Sequence, residues 1–576
     1  LEQYVHSIGI MERPTQRLLH KISLTRTPKT HRELMKLPAA DREEWIESEN
    51  KEFHTITNKH KAIKLLHWEQ IPEGAQIVPT QWVYVTKSCG KKKSRVVVCG
   101  NRVERDVNIS VEAPTPKLST IRHLFAIAVK EQWTMDILDV NGAFLYAQPS
   151  KPMYIHLPSG REGPNGEKYA LCLKNLYGGY DCPKVWNQLL HNWLISENFK
   201  RNPHDACMYE KVVDGVPLYV IAHVDDLAVV SSRENTDAFK KKLAEMFECS
   251  EEHDSVDSEG KFTRYLGMEL RRDEEQLVIT QHHLIEKLYA AAAQYIPQNM
   301  KTPAVPILAK KLDKTTCPAS PEDVQYMRRL PYRNLLGMCG YACLGTRPDA
   351  CYAYKTLASF ANCYGKDHWH ALLQFILYLY STRKTHVLRF TKSGGRDLNG
   401  YSDADWNGTW NMKSTSGWIL FLGSSPISWC SRTQKNVSRS VGEAEYVSLA
   451  ELCTEAAHHR MLGITLGQNH GSVSMFSNSG SAAEPGCVRI WQESDEFKKM
   501  SGRHKLQECK AVHVWTDSAN AISFAKKDWT ADKLRQIKTC WHLFKQYVKA
   551  GEISLHHCPG TSNPSDILTK AYGAGE

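Results

Sequence analysis

Two apolar runs rich in β-branched residues flank a pair of aspartates near the middle of the chain. The runs cover residues 218–222 and 227–230, and the pair is Asp225–Asp226. This pattern predicts two buried strands joined by a tight turn that carries the carboxylates. Adjacent carboxylates repel each other and are costly to bury, so a divalent cation at the turn would stabilise them. For the motif taken alone, a solvated Asp-Asp turn is an equal alternative.

A third acidic residue lies upstream in another apolar segment, MDILDVNGAFL at 135–145. Asp139 and Asp136 both border the predicted strand, and their spacing does not decide between them. A third carboxylate beside Asp225–Asp226 would complete a site for two Mg²⁺ ions, because Mg²⁺ prefers oxygen ligands. Two such ions about 3.5–4 Å apart can activate an attacking hydroxyl and stabilise the leaving oxygen in phosphoryl transfer.

The chain has 576 residues, which is long enough for three or more domains. Hydrophobic residues make up 42% of it and charged residues 24%, which is ordinary for a soluble globular protein. The net charge of +10 is compatible with a polyanionic partner. The 17 cysteines show no CxxC pair or zinc spacing, which fits a reducing compartment. We expect no membrane span, because no run of about 18 apolar residues appears. No signal peptide is visible, and the initial Leu suggests a piece of a longer protein.

The segments LDVNGAFL and HVDDL resemble the motifs of copia-type LTR-retrotransposon Pol proteins, in the region of their reverse transcriptase and RNase H. The resemblance runs from about residue 35 to the C-terminus. It implies a multidomain α+β and α/β fold, a right-hand polymerase with fingers, palm and thumb followed by an RNase H-like α/β domain. It selects Asp139, Asp225 and Asp226 as catalytic metal ligands for two Mg²⁺ ions, with Mn²⁺ as an alternative. His223 stands where the family usually has Tyr.

The resemblance also implies nucleotide-binding residues. Residues 77–101 resemble the family's fingers hairpin, in which Lys87 and Arg95 would grip the triphosphate of an incoming nucleotide. Arginine suits phosphate because its planar fork donates paired hydrogen bonds; the alternative is a solvated basic turn. Phe144 falls where reverse transcriptases keep an aromatic that blocks a ribose 2′-OH, and a core aromatic is the alternative.

Two further segments resemble family elements near the polymerase site. LKNLYGGYDCPKVW resembles LYGLKQSPRAW, but the family's Lys-Gln pair is Tyr180–Asp181 here. An acid at Asp181 would lie close to the triphosphate and weaken nucleotide binding, which affects efficiency rather than fold. The segment YLGMEL resembles a primer-positioning hairpin, with Leu266 and Gly267 at its turn.

From residue 396 a second pattern begins, in which acids lie at the ends of predicted elements. Strands are predicted at 399–406, 417–422, 426–431, 512–517 and 554–558, with a helix opening near Glu443. This order suits an α/β ribonuclease H fold. The motifs YSDADW, EAEY, TDS and DILTK resemble the family's RNase H and select four catalytic, metal-binding carboxylates: Asp403, Glu445, Asp517 and Asp566. Asp405 is the alternative to Asp403, and Glu443 is the alternative to Glu445.

These patterns predict four regions along the chain. A polar N-terminal arm covers 1–38, and reverse transcriptase fingers and palm cover 39–280, opening with a helix at 39–66. A largely helical thumb and connection covers 281–395. The RNase H-like domain covers 396–576, with a polar insertion at about 465–510.

The expected function is DNA synthesis on RNA and DNA templates, with RNase H cleavage of RNA in RNA–DNA hybrids. The resemblance implies RNA template, DNA primer or product, dNTPs and a tRNA primer as partners, together with an integrase or a second copy of the chain. It implies a cytoplasmic virus-like particle, and the nucleus, as the location. The alternatives are a non-catalytic RNA-binding scaffold and a chain in which only one of the two sites is active.

Overall fold

The computed structural model describes residues 27–86, 90–103, 111–251, 255–257, 259–307, 312–467, 511–527 and 539–571. Within these ranges the chain has a mixed α/β fold, as the sequence predicted. Three sequence predictions fall outside the described residues: Lys87, most of the N-terminal arm, and nearly all of the insertion at 465–510.

The strands and helices are numbered here in chain order. The strands are β1 (Ile63–Leu66), β2 (Ile77–Val78), β3 (Thr80–Thr86), β4 (Lys92–Val98), β5 (Thr134–Val140), β6 (Tyr154–His156), β7 (Tyr169–Cys172), β8 (Lys200–Arg201), β9 (Met208–Val213), β10 (Val216–His223), β11 (Asp226–Ser231), β12 (Cys249–Glu251), β13 (Ser255–Asp257), β14 (Gly260–Tyr265), β15 (Met268–Arg272), β16 (Gln276–Thr280), β17 (Leu388–Thr391), β18 (Leu398–Asp405), β19 (Thr415–Leu422), β20 (Ser425–Thr433), β21 (Val512–Thr516) and β22 (Ile553–His557). The helices are α1 (His31–Leu34), α2 (Ala39–His54), α3 (Leu118–Lys130), α4 (Cys182–Ser196), α5 (Arg233–Met246), α6 (His282–Ala292), α7 (Pro321–Arg328), α8 (Tyr332–Gly345), α9 (Cys351–Ala358), α10 (Lys366–Ser381), α11 (Val441–Thr465), α12 (Ala519–Lys526) and α13 (Phe544–Lys549).

The largest sheet has six antiparallel strands in the spatial order β12–β5–β11–β10–β9–β8. Its central strands are buried on both faces, which explains their almost unbroken apolar sequence. Side chains alternate between two buried clusters, because successive residues of a strand point to opposite faces. One cluster contains α3 together with Ile137, Tyr219, Ile221, Ala228 and Val230. The other contains residues of α4 and α5 together with Leu138, Val140, Val220, Leu227 and Val229.

The hairpin predicted at 218–230 is confirmed. β10 and β11 pair antiparallel, with His223 opposite Asp226, so the connection is a two-residue turn. The turn carries Asp225, and Asp226 is the first residue of β11. The packing of both faces therefore fixes where the Asp-Asp pair lies.

The N-terminal part forms two smaller sheets around one core. The four-stranded sheet has the order β1–β7–β6–β2, and β3 and β4 form a separate two-stranded ribbon. The hairpin predicted at 77–101 is confirmed, since β3 and β4 pair from Thr80 opposite Val98 to Thr86 opposite Lys92. Trp45 of α2 shares the core of this region with residues of the ribbon.

Two boundary predictions in this region are wrong. The helix predicted to reach residue 66 ends at His54 and continues only as a π-helical turn, Thr55–Lys59. Ile63 and Leu66 fit a helical spacing, but both belong to β1, because the backbone of β1 pairs with β7. The predicted extended arm contains α1 within its described part, and Leu34 of α1 is buried in the N-terminal core.

The region predicted as thumb and connection is largely helical, with α6 to α10 in its described residues. One part of that prediction is wrong. Residues Leu388–Thr391 form β17, the edge strand of the sheet β13–β14–β15–β16–β17. Leu388 and Phe390 are buried while Arg389 between them is exposed, which is the alternation of a half-buried strand.

The C-terminal sheet has the order β20–β19–β18–β21–β22. β18, β19 and β20 are antiparallel, whereas β21 runs parallel to β18 and β22 runs parallel to β21. α11 packs on this sheet so closely that a Cβ at Gly400 would lie 2.9 Å from Leu452. The predicted strands are all present, within two residues of their expected bounds. Among the helices that the structure describes, none is long and apolar enough to cross a bilayer.

Arg122 of α3 joins three parts of the chain. Its buried guanidinium donates hydrogen bonds to Ile427 O of β20 at 2.7 Å, and to Leu344 O and Gly345 O at the end of α8 at 2.8 and 3.1 Å. The ring of Trp429 lies 3.8 Å from the guanidinium carbon. The carbonyls at the end of a helix carry partial negative charge, so this position suits a buried cation.

The first prediction concerns this junction. Arg122→Met should lower the free energy of unfolding by about 2–4 kcal/mol, because three carbonyls lose a charged donor while the cost of burying the charge is also removed. Denaturant unfolding followed by tryptophan fluorescence measures the change. Arg389→Met is the control, because the Arg389 side chain is exposed and donates a hydrogen bond to the Gln276 side chain in β16. Equal losses in the two variants would contradict the assigned role of Arg122.

Candidate active sites

The pairing of β5 with β11 brings three predicted carboxylates to one end of the six-stranded sheet. Asp139 lies directly opposite Asp226 in the antiparallel register. The backbone N–H of Val140 donates a hydrogen bond to Asp225 O at 2.9 Å. All three acids are half-buried, at the point where the hairpin turn meets β5.

The hairpin turn is strained. Val224 has a φ of +58°, which a β-branched residue rarely adopts. The indole N–H of Trp186 in α4 donates a hydrogen bond to Val224 O at 2.6 Å. Strained residues of this kind persist where surrounding contacts determine the backbone, and they cluster at functional sites. Trp186 therefore helps to fix the turn that carries Asp225.

Asp136, the alternative to Asp139, lies in a different environment. Its carboxylate forms ion pairs with Arg233 at 3.0 Å and with Lys240 at 2.9 Å. In the register of β5 with β11 it is opposite Val229, away from the turn. Both cations come from α5, so the carboxylate of Asp136 serves to attach α5 to the sheet.

Arg95 and Phe144 meet at Tyr177, a residue to which the sequence assigned no role. The Arg95 guanidinium carbon lies 4.6 Å from the Tyr177 ring centroid, and the Phe144 ring lies edge-on to it at 5.4 Å. Burial raises the pKa of Tyr177 to about 12, and the charges of Asp225 and Asp139 contribute to this rise. Tyr177 is therefore within electrostatic range of both carboxylates.

A close backbone contact holds Tyr177 in place. The N–H of Val98 in β4 donates to Tyr177 O at 2.7 Å. Gly178, which follows, has a φ of +83°, and a Cβ there would lie 2.3 Å from Val98 O. Only glycine fits that approach, which accounts for the glycine after Tyr177 in the LYGG segment.

Asp181 is turned into the protein. Its side chain is 2% exposed, and its carboxylate accepts a hydrogen bond from the backbone N–H of Ser150 at 2.9 Å and another from the Ser150 hydroxyl. The residue lies just before α4. This placement gives Asp181 a structural contact that the sequence did not predict.

Leu266 and Gly267 form the turn between β14 and β15, with φ values of +48° and +68°. The Tyr341 hydroxyl of α8 donates a hydrogen bond to Leu266 O at 2.6 Å. A Cβ at Gly267 would lie 3.3 Å from the Tyr341 ring. Burial raises the pKa of Tyr341, and the negative charge of Asp226 adds to this effect. Tyr341, which contacts this turn, is thus within electrostatic range of Asp226.

The second predicted set of carboxylates gathers at one end of the C-terminal sheet. Asp403 comes from β18, Glu445 from the first turns of α11, and Asp517 from the residue after β21. Each offers one oxygen within 4.8 Å of the others. Asp566 lies in the 3₁₀ segment Pro564–Leu568, and Thr569 just after it donates its hydroxyl hydrogen bond to Asp403.

Burial gives these carboxyl groups unusual pKa values. It raises the pKa of Glu445 to about 9, with the charges of Asp403 and Asp517 adding to the rise. It raises the pKa of Asp403 to about 6, against the hydrogen bond from Thr569. Burial also raises the pKa of Asp517. Perturbed groups clustered in this way are candidates for functional residues.

The alternatives in this region have other contacts. Glu443 accepts a hydrogen bond from Arg439 N at 2.9 Å, and its own N–H donates to the Ser440 hydroxyl, which caps α11. Glu445, two residues on, is 5% exposed and lies in the cluster. Asp405 lies outside the group of oxygens within 4.8 Å of one another. Burial raises the pKa of Asp405, and the positive charge of Lys355 opposes this rise.

The donor atoms of the second set fit a divalent cation. Glu445 Oε2 and Asp517 Oδ1 are buried oxygens without a hydrogen-bond partner, and carboxylate oxygens are what Mg²⁺ takes as ligands. In the part of the chain that the structure describes, no other three His, Cys, Asp or Glu side chains meet the same distance criterion. The oxygens of Asp139, Asp225 and Asp226 are therefore further apart, although their chemistry is the same.

Comparisons with known proteins match long stretches of this chain. A family model described as reverse transcriptase (RNA-dependent DNA polymerase) matches residues 64–309. The Pol polyprotein of transposon TNT 1-94 from Nicotiana tabacum is 26% identical over 95% of this chain and 38% of its own length. That of transposon RE2 from Arabidopsis thaliana is 28% identical over 77% of this chain and 30% of its own length.

These matches place residues 64–309 in the reverse transcriptase family. The relatives are retrotransposon Pol polyproteins, and their similarity over most of this chain supports a copia-type reverse transcriptase. The chain spans about a third of the length of these relatives. A solved structure of prototype foamy virus protease–reverse transcriptase is 11% identical, covering 92% of this chain and 55% of that chain, with a TM-score of 0.25, too low to indicate a shared fold.

The pKa of Glu445 leads to the second prediction. The folded chain keeps Glu445 protonated up to about pH 9, whereas the unfolded chain releases this proton near the ordinary value of 4.5. With a chelator present, the Tm should therefore fall as pH rises between these values. Glu445→Gln should remove much of this fall in thermal melts, and Glu443→Gln should keep it. A Tm that rises over this range in the wild type, or equal slopes in both variants, would contradict the assignment.

Proposed function

We propose that the chain is a reverse transcriptase with an RNase H. The polymerase site consists of Asp139, Asp225 and Asp226, and it copies RNA and DNA templates into DNA. The observation that carries the proposal is the register of β5 with β11, which sets Asp139 opposite Asp226 beside the turn that carries Asp225.

In this proposal the six-stranded sheet is the palm and the β3–β4 ribbon belongs to the fingers. Arg95 would attract the triphosphate of a dNTP, since it stacks on Tyr177, whose pKa is raised by burial and in part by the charges of Asp225 and Asp139. The Phe144 ring would exclude a ribose 2′-OH from the nucleotide site. The Leu266–Gly267 turn, which Tyr341 contacts, would hold the primer strand.

Asp139, Asp225 and Asp226 are the residues that would hold Mg²⁺ or Mn²⁺ in this site. Bound divalent cations would activate the primer 3′-OH and stabilise the leaving oxygen. The carboxylates themselves attract cations to a half-buried end of the sheet, and the turn fixed by Trp186 keeps their spacing. The helices α6 to α10 would lie along the duplex as thumb and connection.

The second site supports RNA cleavage in an RNA–DNA hybrid. The observation that favours it is that Asp403, Glu445 and Asp517 each offer an oxygen within 4.8 Å of the others. Asp566 is linked to Asp403 because Lys570 forms ion pairs with both carboxylates. These buried carboxylates would hold divalent cations, which would supply the positive charge that binds the scissile phosphate and activates an attacking water. Contacts to phosphates and 2′-OH groups would hold the hybrid, so binding should weaken with added salt.

The third prediction separates the two sites. Asp139→Asn should abolish primer extension and leave RNA cleavage, whereas Asp517→Asn should do the reverse. Each change removes one carboxylate and preserves side-chain volume. The loss of both activities in a single variant would therefore indicate unfolding. Extension of a labelled primer on an RNA template, with cleavage of a preformed hybrid scored separately, measures both. Extension that survives Asp139→Asn would refute the polymerase assignment, and two inactive sites in a wild type that binds hybrid would favour a scaffold.

The fourth prediction concerns the strained turn. Trp186→Phe keeps a buried ring and removes the hydrogen bond to Val224 O. We expect kcat for primer extension to fall about tenfold, while stability falls by about 1 kcal/mol, the usual net value of one hydrogen bond. Trp193→Phe on the same helix is the matched control. An unchanged kcat in Trp186→Phe would show that the turn keeps its geometry without this bond.

A further inference from the structure

Lys570 places a positive charge among the carboxylates of the second site. Its Nζ lies 2.6 Å from Asp566 Oδ1 and 3.7 Å from Asp403 Oδ2. These acids belong to different elements, since Asp403 lies in β18 and Asp566 lies in the segment Pro564–Leu568. A single ammonium group therefore connects two of the four predicted metal ligands.

This contact differs from an ordinary surface ion pair. The pairing of Lys570 with Asp566, four residues earlier, would alone contribute little. The Asp403 side chain, however, is 2% exposed, while that of Lys570 is 49% exposed. The ammonium group thus lies at the mouth of the site, over a buried acid. Thr569 reaches Asp403 as well, so two successive residues of the chain contact the same carboxylate.

The four carboxylates consequently divide into two parts. Asp403, Glu445 and Asp517 offer oxygens within 4.8 Å of one another, and Asp566 is outside this group. Glu445 is 5% exposed, and its Oε2 has no hydrogen-bond partner in the described protein. Such a buried carboxylate oxygen is suited to bind a divalent cation. Asp566, by contrast, already has a cation as its partner in Lys570.

We propose that Lys570 is a positioning residue of the RNase H site, an inference that rests on the proposed function. Its ammonium group neutralises Asp566 and Asp403 where a second divalent cation would bind. The site then takes one divalent cation on Asp403, Glu445 and Asp517, and it admits a second only when Lys570 moves away. A divalent ion beside Asp566 and the ammonium group would repel each other at this distance, so the two compete for the same carboxylates.

The test counts Mn²⁺ ions bound by the full chain, using isothermal titration calorimetry and the electron paramagnetic resonance of free Mn²⁺. The difference between wild type and Asp517→Asn gives the ions held at this site, and we expect one at sub-millimolar Mn²⁺. Lys570→Met should add a second ion, bound at least about tenfold more tightly than in the wild type. Lys570→Arg keeps the charge and should keep the wild-type count.

Lys366→Met is the matched control, because Lys366 is exposed and pairs with Asp323 on another part of the surface. A wild type that already holds two ions at this site would overturn the inference and leave the RNase H proposal standing. The same holds if Lys570→Met, folded by circular dichroism, binds Mn²⁺ as the wild type does. Equal Mn²⁺ binding by wild type and Asp517→Asn would overturn both the metal role in the proposed function and this inference. The wild-type count tests the inference even if Lys570→Met fails to fold.

Discussion

The antiparallel register of β5 with β11 is the constraint on which the polymerase site depends. Both strands are buried on both faces, so a slip of one residue would exchange the residues that face α3 with those that face α4 and α5. The same register sets Asp139 opposite Asp226. Packing of the apolar core therefore determines the position of the charged groups, even though these groups contribute nothing favourable to the core.

The repulsion between neighbouring carboxylates is reduced in different ways at the two sites. The first lies at a half-exposed turn, where water can solvate the acids and the strain at Val224 is held by Trp186. The second is largely buried, which raises carboxyl pKa values and requires compensation from Thr569 and Lys570. Arg122 connects the regions around the two sites, because it joins α3 to α8 and β20. This buried cation and its backbone partners are therefore one of the contacts that join the two regions.

Local sequence patterns predicted the elements around the sites well. The hairpin at β10–β11, the β3–β4 ribbon and the succession of strands along the chain from β18 onward follow from alternation and from β-branched residues. Helix and strand could not be separated at Ile63–Leu66, because two apolar residues three apart fit both until pairing with β7 decides. The roles of the site residues themselves remain predictions that the structure makes geometrically reasonable.

Other features depend on tertiary contacts that no local pattern carries. Tyr177 reaches Arg95 and Phe144 because its loop packs on β4, and the burial of Asp181 depends on Ser150, thirty-one residues earlier. The glycine pair after Tyr177 was the available sequence signal for that close approach. Lys570 was visible in DILTK as the residue four positions after Asp566, but its contact with Asp403 required the fold.

The most direct measurement is primer extension by the wild-type chain on an end-labelled RNA template with dNTPs and Mg²⁺. The account predicts extended DNA together with shortened RNA, which would show two working carboxylate sites in one reaction. Extended DNA with intact RNA would restrict the account to the polymerase site. If a chain that still binds the hybrid gives neither extended DNA nor shortened RNA, the central claim is contradicted.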